Sequence, residues 1–448
     1  MRNRSLRDDS LRRGPRVTAA RSAVTGACLA LATLTALACR DLTSLQQSNP
    51  GALDASVVYI PGNAALLANG VIADFECAFS RYVVGSGLLG DELSNAIGAT
   101  ANYDYDRRTL PTNADYGTGT CTTNQRPPIY TTLSTARGSG DTVAAKLRGW
   151  TDAQMPTGVS RVKLIAQAAA YTGYSIVLLG EGMCSAAINV GPELTPAQLF
   201  AQAKTRFDTA VVDAGAANDA TTLNFALLGR ARAELDLGDA AAAGVDAAKI
   251  PPSFVLNMST DGVNIRRENF AFFSINFSSF DTVDPSFRGL TINGAPDPRV
   301  AVTNSGKPGT APGSQLWTPD KYPALTSAIP IARYAEAQLI VAESKLAAND
   351  LAGAVAAINL VRASHAGVPA YDGTGQTADQ IKAQIIEDRR RELFLEGHRL
   401  GDLRRYNIPL APAAGTAYPG GGGLYGTQTC FPLPDAERVN NPNISKPS

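Results

Sequence analysis

Arg389-Arg390-Arg391-Glu392-Leu393-Phe394-Leu395-Glu396-Gly397-His398-Arg399-Leu400-Gly401-Asp402-Leu403-Arg404-Arg405 is the most telling stretch of this 448-residue chain. It holds nine charged side chains and one of only two histidines, in a sequence that is 18% charged. Leu393, Phe394 and Leu400 trace an apolar stripe at roughly helical spacing, interrupted by Gly397. Charge of both signs at this density makes either a solvated helix face or a buried ion-pair lattice. In the lattice reading, Glu392 and Glu396 meet Arg389, Arg399 and Arg404 or Arg405. Such pairing lowers a carboxylate's pKa, the wrong direction for a general acid, so Glu392, Glu396 and Arg399 read as structural.

Three further segments belong with it. Ile331–Ser344 carries Arg333, Ala335-Glu336, Leu339 and Ala342-Glu343; Ala354–Arg362 carries Ile358-Asn359 and Val361-Arg362; the tail Cys430–Asn443 ends Asn441-Pro442-Asn443. In this order the four segments, spanning about 331–443, resemble the C-terminal signature of the SusD/RagB family of nutrient-binding outer-membrane lipoproteins. Asp388 stands where the family has Glu, and Gly401 where a bulkier residue is usual. The resemblance implies a mostly α fold, a SusD-like scaffold of tetratricopeptide-type helical hairpins with long ligand-binding loops and a few short strands. It further implies a surface-exposed protein, held to the outer membrane by a lipid anchor. Such a protein binds an oligomeric nutrient, most often a glycan, and delivers it to a SusC-like TonB-dependent transporter. An oligopeptide ligand is the alternative within the family; outside it, a periplasmic tetratricopeptide-like interaction protein.

The N-terminus reads as an export leader. Arg12, Arg13, Arg16 and Arg21 precede an uncharged run from Ser22 to Ala38, too short to span a bilayer comfortably, and no other apolar run approaches spanning length. Ala36-Leu37-Ala38-Cys39 resembles a lipobox, so residues 1–38 are expected to be removed and Cys39 lipidated, leaving 39–448 as one domain. Ordinary cleavage after Ala38 is the simpler alternative. Without the leader the chain holds 33 basic and 38 acidic residues, a mildly acidic balance that disfavours nucleic acid as a partner.

Cys77, Cys121, Cys184 and Cys430 remain after export, with no C-x-x-C spacing and no histidine nearby, so neither a metal centre nor a cofactor is expected. Four cysteines allow three pairings, among which sequence does not choose. Cys77–Cys121 with Cys184–Cys430 is the expectation, closing a modest loop and anchoring the irregular tail.

Helical periodicity covers Ala64–Phe79, Ser160–Leu179, Pro196–Val212 and Leu223–Leu237. Ala231 through Leu235, Gly238-Asp239 and Ala243 recur as Ala342 through Leu346, Asn349-Asp350 and Ala354, which resembles the turn of tetratricopeptide hairpins. Between the helices, 95–130, 253–330 and 408–434 are long polar, Gly- and Pro-rich segments, with strand-like runs at Ser253–Leu256 and Asn269–Ile275. Loops this long are usually functional, which places binding there and not on the helices.

No G-x-S-x-G, H-E-x-x-H or Walker-type loop occurs, so no enzyme is expected. A glycosidase would need paired carboxylates, for which Asp91 with Glu92 or Asp104 with Asp106 are the candidates. Sugar faces stack on aromatic rings. Tyr103 and Tyr105 would share one face of an extended segment, and Trp317 and Tyr322 occupy another loop; these four are the expected ligand contacts.

Overall fold

Small polar residues decide where the helices begin. Gln198 N donates to Thr195 Oγ1 while Gln198 Oε1 accepts from Thr195 N, with Pro196 at the first helical position. Thr377 and Gln380 build the same box, and Asp219, Asp239 and Asp350 each cap a helix through a side-chain oxygen. These elements belong to a computed structural model that describes residues 54–99, 103–122, 125–419 and 421–444. The leader and Cys39 lie outside the described residues. Ala55–Val58 is a single helical turn, and the residues from Tyr59 onward form one compact unit, to which all that follows refers.

The scaffold comprises α1 (Ala64–Leu89), α2 (Tyr130–Gly149), α3 (Arg161–Gly182), α4 (Pro196–Ala216), α5 (Ala220–Asp236), α6 (Ala240–Ala247), α7 (Tyr334–Ala347), α8 (Leu351–Arg362), α9 (Ala378–Glu392) and α10 (Arg399–Arg405). The fold is mostly helical, with a few short strands, as the sequence predicts. α5–α6 and α7–α8 are the two hairpins of the sequence echo. Gly238 (φ 83°) and Asn349 (φ 58°) take the left-handed turn position, and Ala243 and Ala354 are fully buried. α6 and α7 approach so closely that a Cβ on Gly244 would fall 2.0 Å from Ser344 Oγ. α3 is long and apolar enough to cross a membrane, contrary to expectation, but 78% of its apolar window is buried inside the protein. It is a core helix: Phe75 of α1, Tyr171 and Tyr174 of α3, and Phe225 of α5 share one aromatic cluster, with Tyr174 and Phe225 stacked at 4.2 Å.

Six strands matter for the site: β1 (Leu93–Asn95), β2 (Val255–Asn257), β3 (Asp281–Val283), β4 (Val302–Pro308), β5 (Gln315–Pro319) and β6 (Pro330–Arg333). All three pairings are antiparallel: β1 with β3, with Ser94 opposite Thr282; β2 with β6; and β4 with β5, with Asn304 opposite Trp317. Asn269–Ile275 is not a strand. The Asn269 side chain accepts from Phe272 N, and a helical turn at Phe270–Phe272 runs into a wider π turn over Phe273–Phe277. Phe270, Phe273 and Phe277 stack successively, so aromatic residues that read as β-formers here follow a helical period.

The charged signature is buried, but as two helices, not one. α9 stops at Glu392, Leu395 (φ 54°) and Gly397 (φ 76°) reverse the chain, and α10 restarts at Arg399. The break sends Glu392, Glu396 and Arg399 to partners far along the sequence, while Asp402 pairs within the signature. Arg333 donates to Glu392 Oε1 at 2.6 Å and to Glu396 Oε2 at 2.8 Å. Lys321 also binds Glu396, Arg399 pairs with Asp91, and Arg389 with Asp402. Arg404 instead donates to backbone carbonyls of Gly180, Glu181 and Met183. Burial alone would raise the Glu392 carboxyl, but hydrogen-bonded His365 and the Arg333 charge hold it down at about 2. His398 is buried in the same core, its imidazole kept neutral by burial and by the surrounding cations.

Cys77 is bonded to Cys121 and Cys184 to Cys430. Beside the second bridge, Cys184 N donates to Phe431 O and Phe431 N to Gly182 O, stitching the tail to the end of α3. The closing Asn-Pro-Asn has a similar task. Asn441 Nδ2 donates to Gly191 O and Asn443 Nδ2 to Val190 O, clamping a turn in which Asn189 and Val190 both have positive φ.

Candidate functional site

The long loops converge on one cleft of about 360 Å³. β1 contributes Ser94 and Asn95, β3 and the chain after it contribute Thr282, Asp284, Ser286 and Arg288, and the turn 311–315 forms a third side. The fourth side is a strap of the Gly- and Pro-rich tail that brings Ala411, Pro412, Tyr418, Pro419 and Tyr425. Asp106 lies at the base.

Each wall is fixed from behind. Arg107 N donates to Tyr103 O and Arg108 N to Tyr105 O, so 103–109 is a tight turn with Arg108 at φ 61°. That turn holds the strap: Gly426 N donates to Arg107 O at 2.7 Å, Arg107 Nη1 to Gly422 O, and Arg108 Nη2 to Pro412 O. Within the strap, Tyr425 N donates to Thr416 O and Tyr418 N to Gly423 O. On the opposite side, Thr282 Oγ1 donates to Gln315 O and accepts from Trp317 N, which locks β3 to β5.

Tyr418 and Tyr425 meet edge to face at 5.1 Å, and Arg108 lies over the Tyr425 ring at 4.5 Å. Only 6% and 8% of these tyrosines is exposed, so they floor the cleft instead of projecting from it. Asp106 Oδ2 accepts from both Tyr418 Oη and Asn95 N at 2.9 Å. Burial pushes the Asp106 carboxyl up to about 7, and burial with the nearby Asp106 charge does the same to Asp281 beneath it. Asp284 accepts from Ser94 Oγ at 2.6 Å and Ser286 N at 2.8 Å. The result is an apolar floor ringed by hydroxyl, amide and guanidinium groups, suited to a polar ligand with an apolar face.

The four expected ligand rings are not brought together. Tyr105 and Tyr322 are buried anchors: Tyr105 Oη donates to Pro127 O with its ring against Phe431, and Tyr322 Oη donates to Leu395 O in the signature turn. Tyr103 is also buried, and it supports Tyr418 from behind at 5.2 Å. The expectation of two exposed rings on one face fails because 103–109 is a turn and not extended, which sends the rings into separate clusters. Trp317 is half-buried and reaches the cleft through Arg288, whose guanidinium lies 5.5 Å from its ring centre. Neither pair of glycosidase candidates stands as two free carboxylates. Asp91 pairs with Arg399, Glu92 accepts from Leu395 N, and Asp104 pairs with Arg107.

Tyr418, Tyr425 and Arg288 escaped the sequence reading. Their signal was the position of two tyrosines on either side of the Gly420–Gly423 run, within a segment that could be recognised as a loop. A second cleft, about 470 Å³, is lined by Arg299, Lys321, Arg333, His365, Glu392 and Glu396, but these groups pair with carboxylates or with one another. Among the described residues, no cluster of three His, Cys, Asp or Glu side chains could hold a metal ion.

No curated protein matches this sequence. Solved structures do. A SusD-like carbohydrate binding protein from Bacteroides vulgatus is 16% identical, with a TM-score of 0.63 over 86% of this chain and 98% of that one. A SusD superfamily protein from Bacteroides fragilis is 15% identical, with a TM-score of 0.65 over 86% and 99%. Surface glycan-binding protein A from Bacteroides thetaiotaomicron is 16% identical, with a TM-score of 0.64 over 86% and 98%. Residues 317–446, the stretch from Trp317 through the charged signature to the clamped tail, match the sequence description of the SusD family. Over residues 317–446 the chain thus matches the SusD family, and its helical scaffold has the fold of SusD-like proteins.

Proposed function

We propose that the cleft over Tyr418 and Tyr425 binds a segment of an oligomeric glycan. The carrying observation is that four separate loops, and no element of the helical scaffold, build one tyrosine-floored, polar-rimmed cleft. Sugars offer C–H faces to rings and hydroxyls to a polar rim, and this cleft has both. The names of similar proteins support the reading: a SusD-like carbohydrate binding protein, a surface glycan-binding protein and a laminarin binding SusD-like protein. In this proposal Cys39 carries the lipid anchor in the outer membrane, the protein faces outward, and captured glycan passes to a TonB-dependent transporter without being cleaved. Cys39→Ser would then move the protein out of the membrane fraction, since the acyl chains supply most of its membrane affinity.

The test is calorimetric titration of a soluble form against neutral and acidic oligosaccharides, repeated with Tyr418→Ala and Gln315→Ala below their melting temperatures. Binding that weakens in both variants supports the cleft; binding unchanged in both removes it as the site.

A further inference from the structure

We infer that the cleft selects acidic glycans, with Arg288 as the residue that receives a uronate carboxylate; this rests on the cleft being the glycan site. The argument is a balance of used and unused hydrogen-bonding groups. Both carboxylates of the cleft wall are already served. Asp106 accepts from Asn95 N and Tyr418 Oη, and Asp284 accepts from Ser94 Oγ and Ser286 N. Arg288 is the reverse case. Its Nε donates to Val283 O at 2.8 Å and its guanidinium lies over Trp317, which together fix the plane of the group. Among the described residues, no carboxylate comes within 4.0 Å of it. No hydrogen bond from Nη1 or Nη2 forms among the described residues either.

Among the described residues, the guanidinium groups of the buried ion-pair core are not left in this condition. Arg299, Arg333, Arg362, Arg389 and Arg405 each meet a carboxylate within 3.1 Å. Arg108, also without a carboxylate partner, is committed to Pro412 O and to the Tyr425 ring, and it does not line the cleft. Arg288 does line it. A guanidinium held flat by a carbonyl and an indole, with both terminal nitrogens unspent, is preorganised for two-point binding of a planar anion. Partial burial lowers the Arg288 pKa from the usual guanidinium value, the charge of Asp284 opposes that shift, and a guanidinium remains charged. Because residues 39–448 are mildly acidic overall, the preference would be local to this wall and not a general attraction for polyanions. Of the anions a glycan can carry, the uronate carboxylate matches the fork geometry and sits on a ring whose other face can meet the tyrosine floor.

The test uses oligogalacturonates and oligoglucuronates beside their carboxyl-reduced counterparts of equal length, titrated into wild type, Arg288→Gln, Arg288→Lys and Tyr418→Ala. In wild type the acidic form should bind roughly tenfold or more tightly, as expected for charge-assisted hydrogen bonds. Arg288→Gln should bring the ratio of the two affinities toward one, and Arg288→Lys should leave an intermediate ratio that shrinks with added salt. Equal binding of acidic and reduced forms by wild type, no binding of either, or a ratio unaltered in folded Arg288→Gln would overturn the inference. If the reduced forms bind and Tyr418→Ala weakens them, the cleft remains the glycan site although its acid selectivity is refuted. If binding persists unchanged in Tyr418→Ala, the site itself is wrong.

Discussion

Tyr418 Oη donates to Asp106 Oδ2 at 2.9 Å, joining the tail strap to the first loop region across 312 residues of sequence. The ring supplies floor and the hydroxyl satisfies a buried acid, so the two roles can be separated by mutation. Tyr418→Phe should keep the packing and cost about 1 kcal/mol of stability for the lost hydrogen bond. Tyr418→Ala should in addition weaken glycan binding by roughly threefold to tenfold. Thermal melts beside calorimetry separate the effects; a Tyr418→Ala protein that binds like wild type contradicts the role of the floor.

Stability should be greatest near about pH 5, because two groups of buried carboxyls pull in opposite directions. Burial raises Asp106, Asp281 and Glu336 to about 7 and Glu92 to about 8. From their unfolded values, 3.8 for Asp and 4.5 for Glu, up to 7 or 8, the native state holds more protons, so stability falls as pH rises through that window. Ion pairing outweighs burial at Glu392 and Asp297 and holds both at about 2, so their contribution is lost as pH falls from the unfolded values toward 2. Melting temperatures from pH 3 to 8 test this. Asp106→Asn should flatten the alkaline decline, and a decline as steep as wild type would show that Asp106 does not titrate there.

Arg333→Ala should be far more damaging than its position at the start of α7 indicates. Removing it leaves Glu392 with only His365 and Glu396 with only Lys321, both carboxylates 2% exposed, and breaking a buried pair in this way costs about 3–5 kcal/mol. The loss should appear in denaturant midpoints. Protein that remains folded should bind glycan normally, since Arg333 does not line the cleft.

Truncating the buried tyrosines should affect the fold first. Tyr322→Ala removes a fully buried ring and the donor to Leu395 O, for an expected loss of about 3–5 kcal/mol. Tyr103→Ala should lower both the melting temperature and the affinity, because Tyr103 backs Tyr418. An unchanged melting temperature in either variant would restore the reading of that ring as a surface contact.

The sequence was most legible where local chemistry and tertiary context agree. Gly238 and Asn349 make the repeated turn that the sequence echo marks, with Asp239 and Asp350 capping the helices that follow. The signature was read correctly as scaffold, but its partners were not, because Leu395 and Gly397 break the helix and aim Glu392 and Glu396 at Arg333. The site was harder still. Whether Tyr103 and Tyr105 share a face depends on a turn whose closing bonds are backbone to backbone, and the cleft tyrosines sit in a Gly-rich strap whose course is set by Arg107 and Arg108. Such long-range fastenings leave no periodicity to read.

Because the strap from Ala411 to Tyr425 supplies one entire wall, the cleft is among the last features the growing chain can complete. A polypeptide halted before residue 411 would contain every residue of α1 through α10 and still lack this wall. Completion of the cleft therefore reports on synthesis through Tyr425 in a way that helical content cannot.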